Sequence, residues 1–497
     1  MMTLVVASLV ERSIAGVARS SKKAFAAGAG AVELRMDHLV GLASKPSMLD
    51  EAREAVDGPA IATLRSSREG GRSRLKRQSR ARLLERAFEA GFEYIDLELT
   101  ADSGLITRLR GKGGSTKTIA SYHFRRPATR HELLSRLGAA CEAADIGKVA
   151  TPCEHAGHAA AVASAALEFS GRGREFAIMG MGAQGQLTRA CAGKMGSELV
   201  YACLPGAPAA PGQLDITLQS ALIEKDSFVF GLIGHPVAHS VSKPMQEAAL
   251  RSVNLNGIYL PLDVPPAHMT KEFVSTLFDS GFTGLNVTIP HKERAHRICE
   301  SLGASAESTG AVNTVHRRRG RIVGENTDLI GLKKLLESQK IPLRNRKSLV
   351  VGAGGAARAA CRVLRDGGAE VTVTARKAGR AAVVARACDG RGLPLDRASS
   401  GSRRWDVVVN ATPIGTWGST LQDLTVPPGV LEGRPVFIDL VYNPPVTESM
   451  RLARRKGCET VGGLDMLVGQ GAEAFRTWTG RSPDEKRMRA AARRALR

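Results

Sequence analysis

Eight short apolar runs recur at steady spacing through the first 222 residues, and this repetition constrains the fold more than any other feature of the chain. Segments rich in Ala, Leu, Glu and Arg, with helical periodicity, separate the runs. Eight buried strands that alternate with helices predict a parallel (β/α)8 TIM barrel. The predicted strands are 4–9, 31–37, 60–66, 94–99, 116–123, 146–151, 175–181 and 199–204.

Ionisable side chains stand at the carboxyl ends of six of these strands. Barrel enzymes carry their chemistry at that end. For one such residue a structural ion pair is the better interpretation, because charges are excluded from apolar interiors unless they are paired. Six contributing strands instead favour a shared polar site. The residues concerned are Glu33, Arg35, Asp37, Arg65, Glu69, Asp96, Glu98, His123, Lys148 and Arg189.

Lys148 and His123 suggest the type of chemistry. Lys148 lies inside an apolar run, and we expect a buried lysine near other cations to lose its proton and attack a ketone. His123, on the neighbouring strand, is placed to act as general base and acid, and Glu69 or Glu98 could orient its imidazole. Taken alone, Lys148 would be interpreted as a surface lysine and His123 as a core histidine. Their occurrence on neighbouring strands favours catalysis.

Composition limits the classes of partner. The formal charge of +22 suits nucleic-acid binding, solvated arginine-rich faces, or anionic substrates with a phosphorylated cofactor. Aromatic residues make up 4% of the chain, which leaves few platforms for bases, so we predict small-molecule substrates and no nucleic acid. We find no apolar run of about 20 residues, no signal peptide and no C-x-x-C pair. These features predict a cytoplasmic protein without a membrane span or metal, and they leave homo-oligomerisation open.

A second pattern of strands and helices begins near residue 228 and contains a glycine turn at residues 352–356. The turn joins an apolar strand to a helix, as in Rossmann-like dinucleotide sites, although a plain strand–helix turn is the alternative. Basic residues follow the next predicted strand, 370–374, where NAD sites usually hold an acid. A basic surface turn is the alternative, but we favour a 2′-phosphate and hence NADP. The cofactor-binding residues that this pattern predicts are Gly352, Gly354, Gly355, Ala356, Arg376, Lys377 and Arg380.

An ordered set of motifs in residues 1–222 resembles type I 3-dehydroquinate dehydratase. It includes ELRMD at 33–37, SYH at 121–123, DIGK at 145–148 and APGQ at 210–213. The resemblance implies a Schiff base between Lys148 and the C3 ketone, removal of the C2 proton by His123, and loss of the C1 hydroxyl as water. The residues that it implies for substrate binding are Glu33, Arg35, Arg65, Arg189 and Gln213.

Residues 228–497 resemble shikimate dehydrogenase through motifs such as NVTIPHKE at 286–293, NTDLIG at 326–331 and NATPIG at 410–415. The resemblance implies that Lys292 and Asp328 form the catalytic pair at the reacting C3 oxygen. It also implies that Thr412 and Gly463 bind the cofactor, with Gly463 against the nicotinamide. It implies that two serines hold the substrate carboxylate. The substrate-binding residues that it implies are Ser240, Ser242, Thr288, Asn313, Tyr442 and Gln470.

Two departures from the family patterns bear on affinity. Ala209 stands where the dehydratases usually have Ser or Thr, and residues 240–247 read SVSKPMQE instead of S-x-S-P-x-x-H-N. We expect the reaction types to survive both changes. Because both carboxylate-binding serines are kept, we favour shikimate over quinate as the substrate.

The predicted architecture is a TIM barrel at 1–224, an α/β substrate domain at 228–334, a Rossmann-like NADP-binding domain at 335–460, and a segment at 461–497 that returns to the substrate domain. Ser482, followed by Pro483, is predicted to cap a last helix. One alternative is a Schiff-base aldolase joined to a quinate dehydrogenase. Another is a nucleic-acid-binding protein on a degenerate enzyme scaffold, which the intact catalytic positions in both halves argue against.

Overall fold

The computed structural model describes residues 3–223, 226–237, 240–399, 404–418 and 423–496. The chain divides into two compact units, built mainly from Met1–Val229 and Thr283–Arg497, with the intervening residues divided between them. The predicted domain limits at residues 1, 224 and 497 lie outside the described residues. The other predicted limits stay predictions.

Within residues 3–223, eight parallel strands follow one another around a barrel in the order β7-β6-β5-β4-β3-β2-β1-β8. Between β7 and β8, Glu198 N donates to Phe176 O at 2.7 Å. The predicted (β/α)8 barrel is therefore confirmed. The strands are β1 Leu4–Leu9, β2 Ala31–Arg35, β3 Ala60–Thr63, β4 Tyr94–Glu98, β5 Lys117–His123, β6 Ile146–Pro152, β7 Phe176–Met181 and β8 Leu199–Ala202.

Helices surround the barrel and bury the outer faces of its strands. One apolar cluster fills the barrel interior and includes Val6, Ile61 and Ile146, and a second joins the strands to the helices. Burial on both faces explains why the strands are continuous apolar runs in the sequence. The helices are α1 Ile14–Ala26, α2 Met48–Glu54, α3 Arg77–Glu89, α4 Ser103–Lys112, α5 Arg130–Ala143, α6 Ala156–Ser170, α7 Gln186–Ala190 and α8 Ile216–Ile223.

The first sheet after the barrel is mixed, with the order β10-β9-β11-β13-β14-β12. Strands β13 and β14 form an antiparallel hairpin. The strands are β9 Phe228–Gly234, β10 Gly257–Asp263, β11 Gly284–Val287, β12 Ser301–Leu302, β13 Thr314–Arg318 and β14 Arg321–Glu325. The helices are α9 Ser242–Ser252, α10 Lys271–Ser280, α11 Lys292–Ile298, α12 Ala304–Thr309 and α13 Asp328–Ser338.

The second sheet is parallel, and its strands β15 to β20 lie in the order β17-β16-β15-β18-β19-β20. This is the dinucleotide-binding order 3-2-1-4-5-6, so the predicted Rossmann-like fold is confirmed. The strands are β15 Lys347–Val351, β16 Glu370–Thr374, β17 Arg391–Leu393, β18 Val407–Asn410, β19 Val436–Asp439 and β20 Thr460–Gly462. The helices are α14 Gly355–Asp366, α15 Ala378–Arg386, α16 Glu448–Arg455, α17 Leu464–Thr479 and α18 Glu485–Ala495.

The last helix starts later than predicted. Asp484, not Ser482, is the N-cap of α18, because the Asp484 carboxylate accepts from the backbone N–H groups of Lys486 and Arg487. Ser482 Oγ instead accepts from Arg476 Nε at 3.3 Å. The prediction placed the cap two residues too early because a serine before a proline is a common start signal. In the described part of the chain, no helix is long and apolar enough to cross a bilayer.

A buried arginine fixes the loop that follows β4. Arg80 on α3 donates from Nε and Nη2 to the two carboxylate oxygens of Asp102, each at 2.8 Å, and from Nη1 to Leu64 O. Asp102 also accepts from the backbone N–H of Glu98 at 2.8 Å. These bonds hold the carboxyl end of β4, where Glu98 lies, against the surrounding helices.

Replacing Arg80 with Ala should lower the free energy of unfolding of the barrel by about 3–5 kcal/mol, because it leaves the Asp102 carboxylate buried without its partner. Urea unfolding followed by far-ultraviolet circular dichroism measures this. Tryptophan fluorescence should be unchanged, since Trp405, Trp417 and Trp478 lie in the second unit. The double variant Arg80→Ala/Asp102→Ala should be less destabilised than the single one, and equal losses would contradict the ion-pair explanation.

Candidate active sites

A cavity of about 320 Å³ opens at the carboxyl ends of the barrel strands. Its wall contains every substrate-contacting or catalytic residue that the sequence predicts for this half of the chain. These residues come from β2, β5, β6, from the segments that follow β3 and β7, and from the loop after β8. They are Glu33, Arg35, Arg65, His123, Lys148, Arg189 and Gln213.

Lys148 projects from β6 into the base of this cavity and is 3% exposed. Its Nζ lies 2.9 Å from Asp96 Oδ2 and 3.6 Å from Glu33 Oε1. Burial by itself lowers the pKa of Lys148, but Asp96, Tyr201 and Glu33 outweigh it, and the pKa is raised. The prediction that neighbouring cations lower this pKa is therefore wrong, because the charges in contact with the ammonium are carboxylates.

Arg65 binds protein carboxylates within the cavity wall. Its Nη2 donates to Asp96 Oδ1 at 2.7 Å, and its Nη1 donates to Ser121 Oγ at 2.8 Å and to Glu69 Oε2 at 3.2 Å. Glu98 Oε1 lies 3.6 Å away. Arg65 thus has its predicted place beside the cavity, but its guanidinium holds three acidic side chains in position.

Glu69 orients His123. Glu69 and Glu98 are the two alternatives for this role that the sequence predicts. Glu69 Oε2 lies 2.9 Å from His123 Nδ1, which leaves Nε2 as the free ring nitrogen. Burial lowers the pKa of His123 well below its usual value, with Arg65 and Lys148 acting in the same direction, so the imidazole is neutral. Burial raises the pKa of Glu69 to about 8, against the opposing effect of Arg65.

Two further predicted substrate-binding residues, Glu33 and Arg35, form hydrogen bonds with neighbouring protein side chains. Glu33 accepts from Ser8 Oγ and Thr63 Oγ1 at 2.7 and 2.9 Å. The Arg35 guanidinium forms two hydrogen bonds with the Asp37 carboxylate, at 2.9 and 2.8 Å.

Arg189 and Gln213 complete the predicted set. Arg189 Nη1 donates to Tyr201 O at 2.9 Å, while its buried Nε has no partner among the described residues. Gln213 is oriented by the loop after β8, since its Oε1 accepts from Ala209 N at 2.8 Å.

Three polar residues of this site were missed from the sequence. Ser8 bridges Glu33 and Gln213, Ser121 Oγ donates to Asp96 Oδ1 at 2.6 Å, and Tyr201 lies under the Lys148 ammonium, which is 3.7 Å from its ring centroid. The inward-facing positions of β1 and β5 could have identified the serines. Tyr201 gives no such signal, because an aromatic residue in an apolar strand is normally part of the core.

The second predicted site forms around Lys292 and Asp328, each the first residue of a helix. Lys292 Nζ lies 2.5 Å from Asp328 Oδ2. Asn313 Nδ2 donates to Asp328 Oδ1 at 2.8 Å and to Gln470 Oε1 at 3.2 Å. Four predicted residues thus form one connected polar network with the lysine ammonium at its end.

The predicted carboxylate-binding serines are adjacent to each other. Ser240 Oγ donates to Ser242 Oγ at 3.0 Å. Tyr442 hydrogen-bonds Ser240, and burial raises the pKa of its phenol against that bond. Thr288 follows β11, and its backbone N–H donates to Ile233 O at 2.8 Å.

The glycine turn after β15 has the geometry that a phosphate approach requires. Gly352 has φ +127°, and a Cβ there would lie 2.9 Å from Ala411 O, so only glycine fits. Gly354 caps α14, and a Cβ added to it would meet nothing within 4 Å, which leaves the helix N-terminus open. A Cβ on Gly355 would lie 2.8 Å from Lys292 Cδ, so the turn packs against the lysine of the second site.

The predicted 2′-phosphate residues lie at the same end of the sheet. Arg376, Lys377 and Arg380 follow β16 and are exposed. Arg380 Nη2 donates to Glu293 Oε1 at 3.2 Å, so part of its charge is neutralised by a surface acid.

Thr412 and Gly463 stand at two further strand ends of this sheet. Thr412 Oγ1 donates to Asn410 Oδ1 at 2.7 Å. Gly463 shares a cavity of about 500 Å³ with Tyr442.

The described residues contain no group of three His, Cys, Asp or Glu side chains arranged to hold a metal ion.

Comparison with protein families gives matches along both halves of the chain. Models of four families match it: type I 3-dehydroquinase over residues 5–223, the shikimate dehydrogenase substrate binding domain over 232–315, shikimate/quinate 5-dehydrogenase over 334–451, and the shikimate 5′-dehydrogenase C-terminal domain over 463–493. Both halves of the chain are therefore matched, in the order that the sequence motifs predict.

Individual relatives match the same two halves of the chain. The chloroplastic bifunctional 3-dehydroquinate dehydratase/shikimate dehydrogenase of Arabidopsis thaliana is 31% identical over 510 residues, which covers 96% of this chain and 82% of that protein. The NADP+ shikimate dehydrogenase of Archaeoglobus fulgidus is 43% identical over 54% of this chain and 98% of its own length. A crystal structure of a shikimate dehydrogenase with NADP+ matches 55% of this chain and 97% of its own, with a TM-score of 0.51 and 33% identity. The chain belongs to the bifunctional 3-dehydroquinate dehydratase/shikimate dehydrogenase family.

Proposed function

We propose a residue-level mechanism for the two reactions of this family, the dehydration of 3-dehydroquinate to 3-dehydroshikimate and the NADPH-dependent reduction of 3-dehydroshikimate to shikimate. The observation that carries the first assignment is that the buried Lys148 ammonium and a neutral His123 line the same cavity. The observation that carries the second is the packing of the glycine turn against Lys292. The product of the first reaction is the substrate of the second, so one chain performs two consecutive steps.

In the barrel, Lys148 Nζ attacks the C3 carbonyl and forms a Schiff base. His123 Nε2 then removes the C2 proton, and the C1 hydroxyl leaves as water. We assign Glu69 Oε2, 2.9 Å from His123 Nδ1, as the acceptor of the Nδ1–H, an arrangement that keeps Nε2 available as the base. Asp96 holds the Lys148 ammonium at 2.9 Å in the resting site.

We assign binding of the substrate carboxylate to Arg189 and Arg35. Arg189 Nε is buried without a partner among the described residues, and the Arg35 guanidinium is fixed in orientation by Asp37. Arginine suits a carboxylate because its planar fork can donate two parallel bonds. Arg65 lies at the substrate cavity but acts mainly on the protein carboxylates. We assign Glu33 and Gln213 to the ring hydroxyls of the substrate.

In the second unit, we assign Lys292 as the proton donor to the C3 oxygen of 3-dehydroshikimate and Asp328 as the residue that orients it. Asn313, Thr288 and Gln470 are assigned to the ring hydroxyls. Ser240 and Ser242, with Tyr442 beside them, are assigned to the carboxylate. The presence of both serine hydroxyls supports shikimate over quinate.

The glycine turn fits NADP. The open N-terminus of α14 at Gly354 can receive a pyrophosphate, and the exposed Arg376 and Lys377 can receive the 2′-phosphate. Ala356 is the second residue of α14, and Thr412 Cγ2 would lie 3.3 Å from a Cβ added to Gly352, so we assign both to the cofactor and Gly463 to the nicotinamide face. When bound, NADPH supplies the hydride that is delivered to C3.

We propose a cytoplasmic enzyme that acts on small anionic molecules and does not bind nucleic acid. The eight unpaired cysteines support a reducing compartment. We attribute the positive charge to the anionic substrates and the phosphorylated cofactor, and we leave self-association open. Cell fractionation tests the location, and DNA binding that weakens steeply with salt would contradict the choice of partners.

Lys148→Ala should abolish dehydration, with a loss of more than about 1,000-fold, and leave reduction of 3-dehydroshikimate unchanged. Lys292→Ala should lower kcat for reduction by about 100- to 1,000-fold and leave dehydration unchanged. Product absorbance measures the first activity and NADPH oxidation the second. Borohydride reduction of the wild type with substrate should add mass at Lys148. A loss of both activities in either variant would contradict the assignment of two separate sites.

The kcat for dehydration should rise as the pH passes upward through about 8, because Glu69 then ionises and can stabilise the protonated imidazole of His123. Glu69→Gln can still accept a hydrogen bond but cannot ionise, so its profile should lack this rise. Initial rates between pH 6 and pH 9 measure the effect, with the reductase activity of the same samples as control. An unchanged rise in Glu69→Gln would assign the titration to another group.

Arg376→Ala should raise the KM for NADPH by about tenfold and leave the KM for NADH unchanged, because it removes a charged hydrogen bond to the 2′-phosphate. Arg380→Ala is the matched control and should have a smaller effect, since its guanidinium is bonded to Glu293. Parallel increases with NADPH and NADH would show that Arg376 does not select the phosphate.

A further inference from the structure

Tyr201 is a polar residue of the barrel cavity whose hydroxyl the mechanism above does not use. The residue lies on β8, is 3% exposed, and lines the same cavity as Lys148. Its ring lies under the lysine, with Nζ 3.7 Å from the ring centroid. No group of the described residues makes a well-formed hydrogen bond with its hydroxyl, although the Lys148 ammonium is close enough to act on the phenol and oppose the rise of its pKa. A buried hydroxyl without a partner costs free energy, which indicates that it binds something that enters the cavity.

The other hydroxyl on the described cavity wall is already engaged. Ser8 Oγ donates its proton to Glu33 Oε2 at 2.7 Å and accepts from Gln213 Nε2 at 3.0 Å. Asp96 beside Lys148 is ionised and can only accept, because Arg65 and Lys148 outweigh burial and lower its pKa. Burial raises the pKa of Tyr201 despite the nearby ammonium, so Tyr201 stays a neutral O–H donor.

Formation of a Schiff base from a protonated lysine is assisted by a group that accepts one proton while it donates another, and a neutral phenol can do both. The ammonium carries three protons and the final iminium nitrogen carries one, so two protons move from nitrogen to the C3 oxygen, which leaves as water. The C–N bond forms as the carbonyl π pair moves to oxygen, and the C–O bond breaks in the second stage. Ammonium and ketone give iminium and water, so the balance closes without an external acid.

We propose that Tyr201 is a catalytic residue of the dehydratase site that relays these protons from Lys148 Nζ to the C3 oxygen. The hydroxyl accepts one proton from nitrogen as it donates its own to oxygen. The C3 oxygen is bonded to the carbon that Nζ attacks, which brings it close to the ring that Nζ contacts. The inference rests on the proposed Schiff base at Lys148 and adds the route by which the resting ammonium becomes reactive.

The experiment compares Schiff-base formation in the wild type, Tyr201→Phe and Tyr122→Phe. The proteins are mixed with 3-dehydroshikimate without NADPH, which leaves the reductase idle, and quenched with borohydride at successive times. Intact mass gives the amount of adduct. Tyr122 is the matched control because it loses the same hydroxyl on β5, outside the cavity-lining set. We expect Tyr201→Phe to slow adduct formation by about 100-fold with little change in KM, and Tyr122→Phe to behave as wild type.

Each outcome has one meaning. Adduct formation in Tyr201→Phe at the wild-type rate would overturn the relay and leave the ring as a packing group. A higher KM with an unchanged rate would also overturn it. If the wild type itself forms no adduct at Lys148, the proposed function fails instead.

Tyr201→Phe keeps the ring, and a circular dichroism melt checks its fold. If that variant does not fold, 3-fluorotyrosine at position 201 replaces it, because it keeps the shape and makes the O–H more acidic. The relay predicts a changed adduct rate with 3-fluorotyrosine, and an unchanged rate would overturn it.

Discussion

The dehydratase site depends on one buried carboxylate that two cations share. Asp96, 1% exposed, accepts from Arg65 at 2.7 Å, from Lys148 at 2.9 Å and from Ser121 at 2.6 Å. Charges persist in a barrel interior only when they are paired in this way. Through Arg65 the same cluster fixes Glu69, which in turn orients His123. His123 and Lys148 are therefore positioned by one connected set of ion pairs and hydrogen bonds, and their separation follows from the register of the neighbouring strands β5 and β6.

The two lysines that we assign to catalysis illustrate how environment sets the role of a residue type. The Lys148 side chain is 4% exposed and lies over an aromatic ring, so its ammonium can lose protons only to groups inside the cavity. The Lys292 side chain is 15% exposed, and it is paired with Asp328 beside the glycine turn. A buried amine next to a hydroxyl suits covalent chemistry. A more accessible ammonium held by a carboxylate suits proton donation to an oxygen that gains charge.

The elements of the fold could be predicted because parallel strands buried on both faces are continuous apolar runs, and their positions followed directly from the sequence. The membership of both sites was predicted from motif order, and neither the aldolase nor the nucleic-acid-binding alternative has support from the family matches.

Side-chain partners were harder to predict. The pKa shift of Lys148 was predicted with the wrong sign, because the sequence shows that cations are present but not that Asp96 lies between them. Tyr201 was missed because contact with a lysine depends on strand register around the barrel, which leaves no local pattern.

The most direct test of the proposed pair of consecutive reactions is to give the purified chain 3-dehydroquinate alone with NADPH. Oxidation of NADPH with accumulation of shikimate is the predicted result, since the barrel must first produce the ketone that the second unit reduces. Absence of NADPH oxidation with 3-dehydroquinate, in a preparation that oxidises NADPH with 3-dehydroshikimate, would contradict the assignment of the barrel. Absence of oxidation with both substrates would contradict the assignment of the reductase.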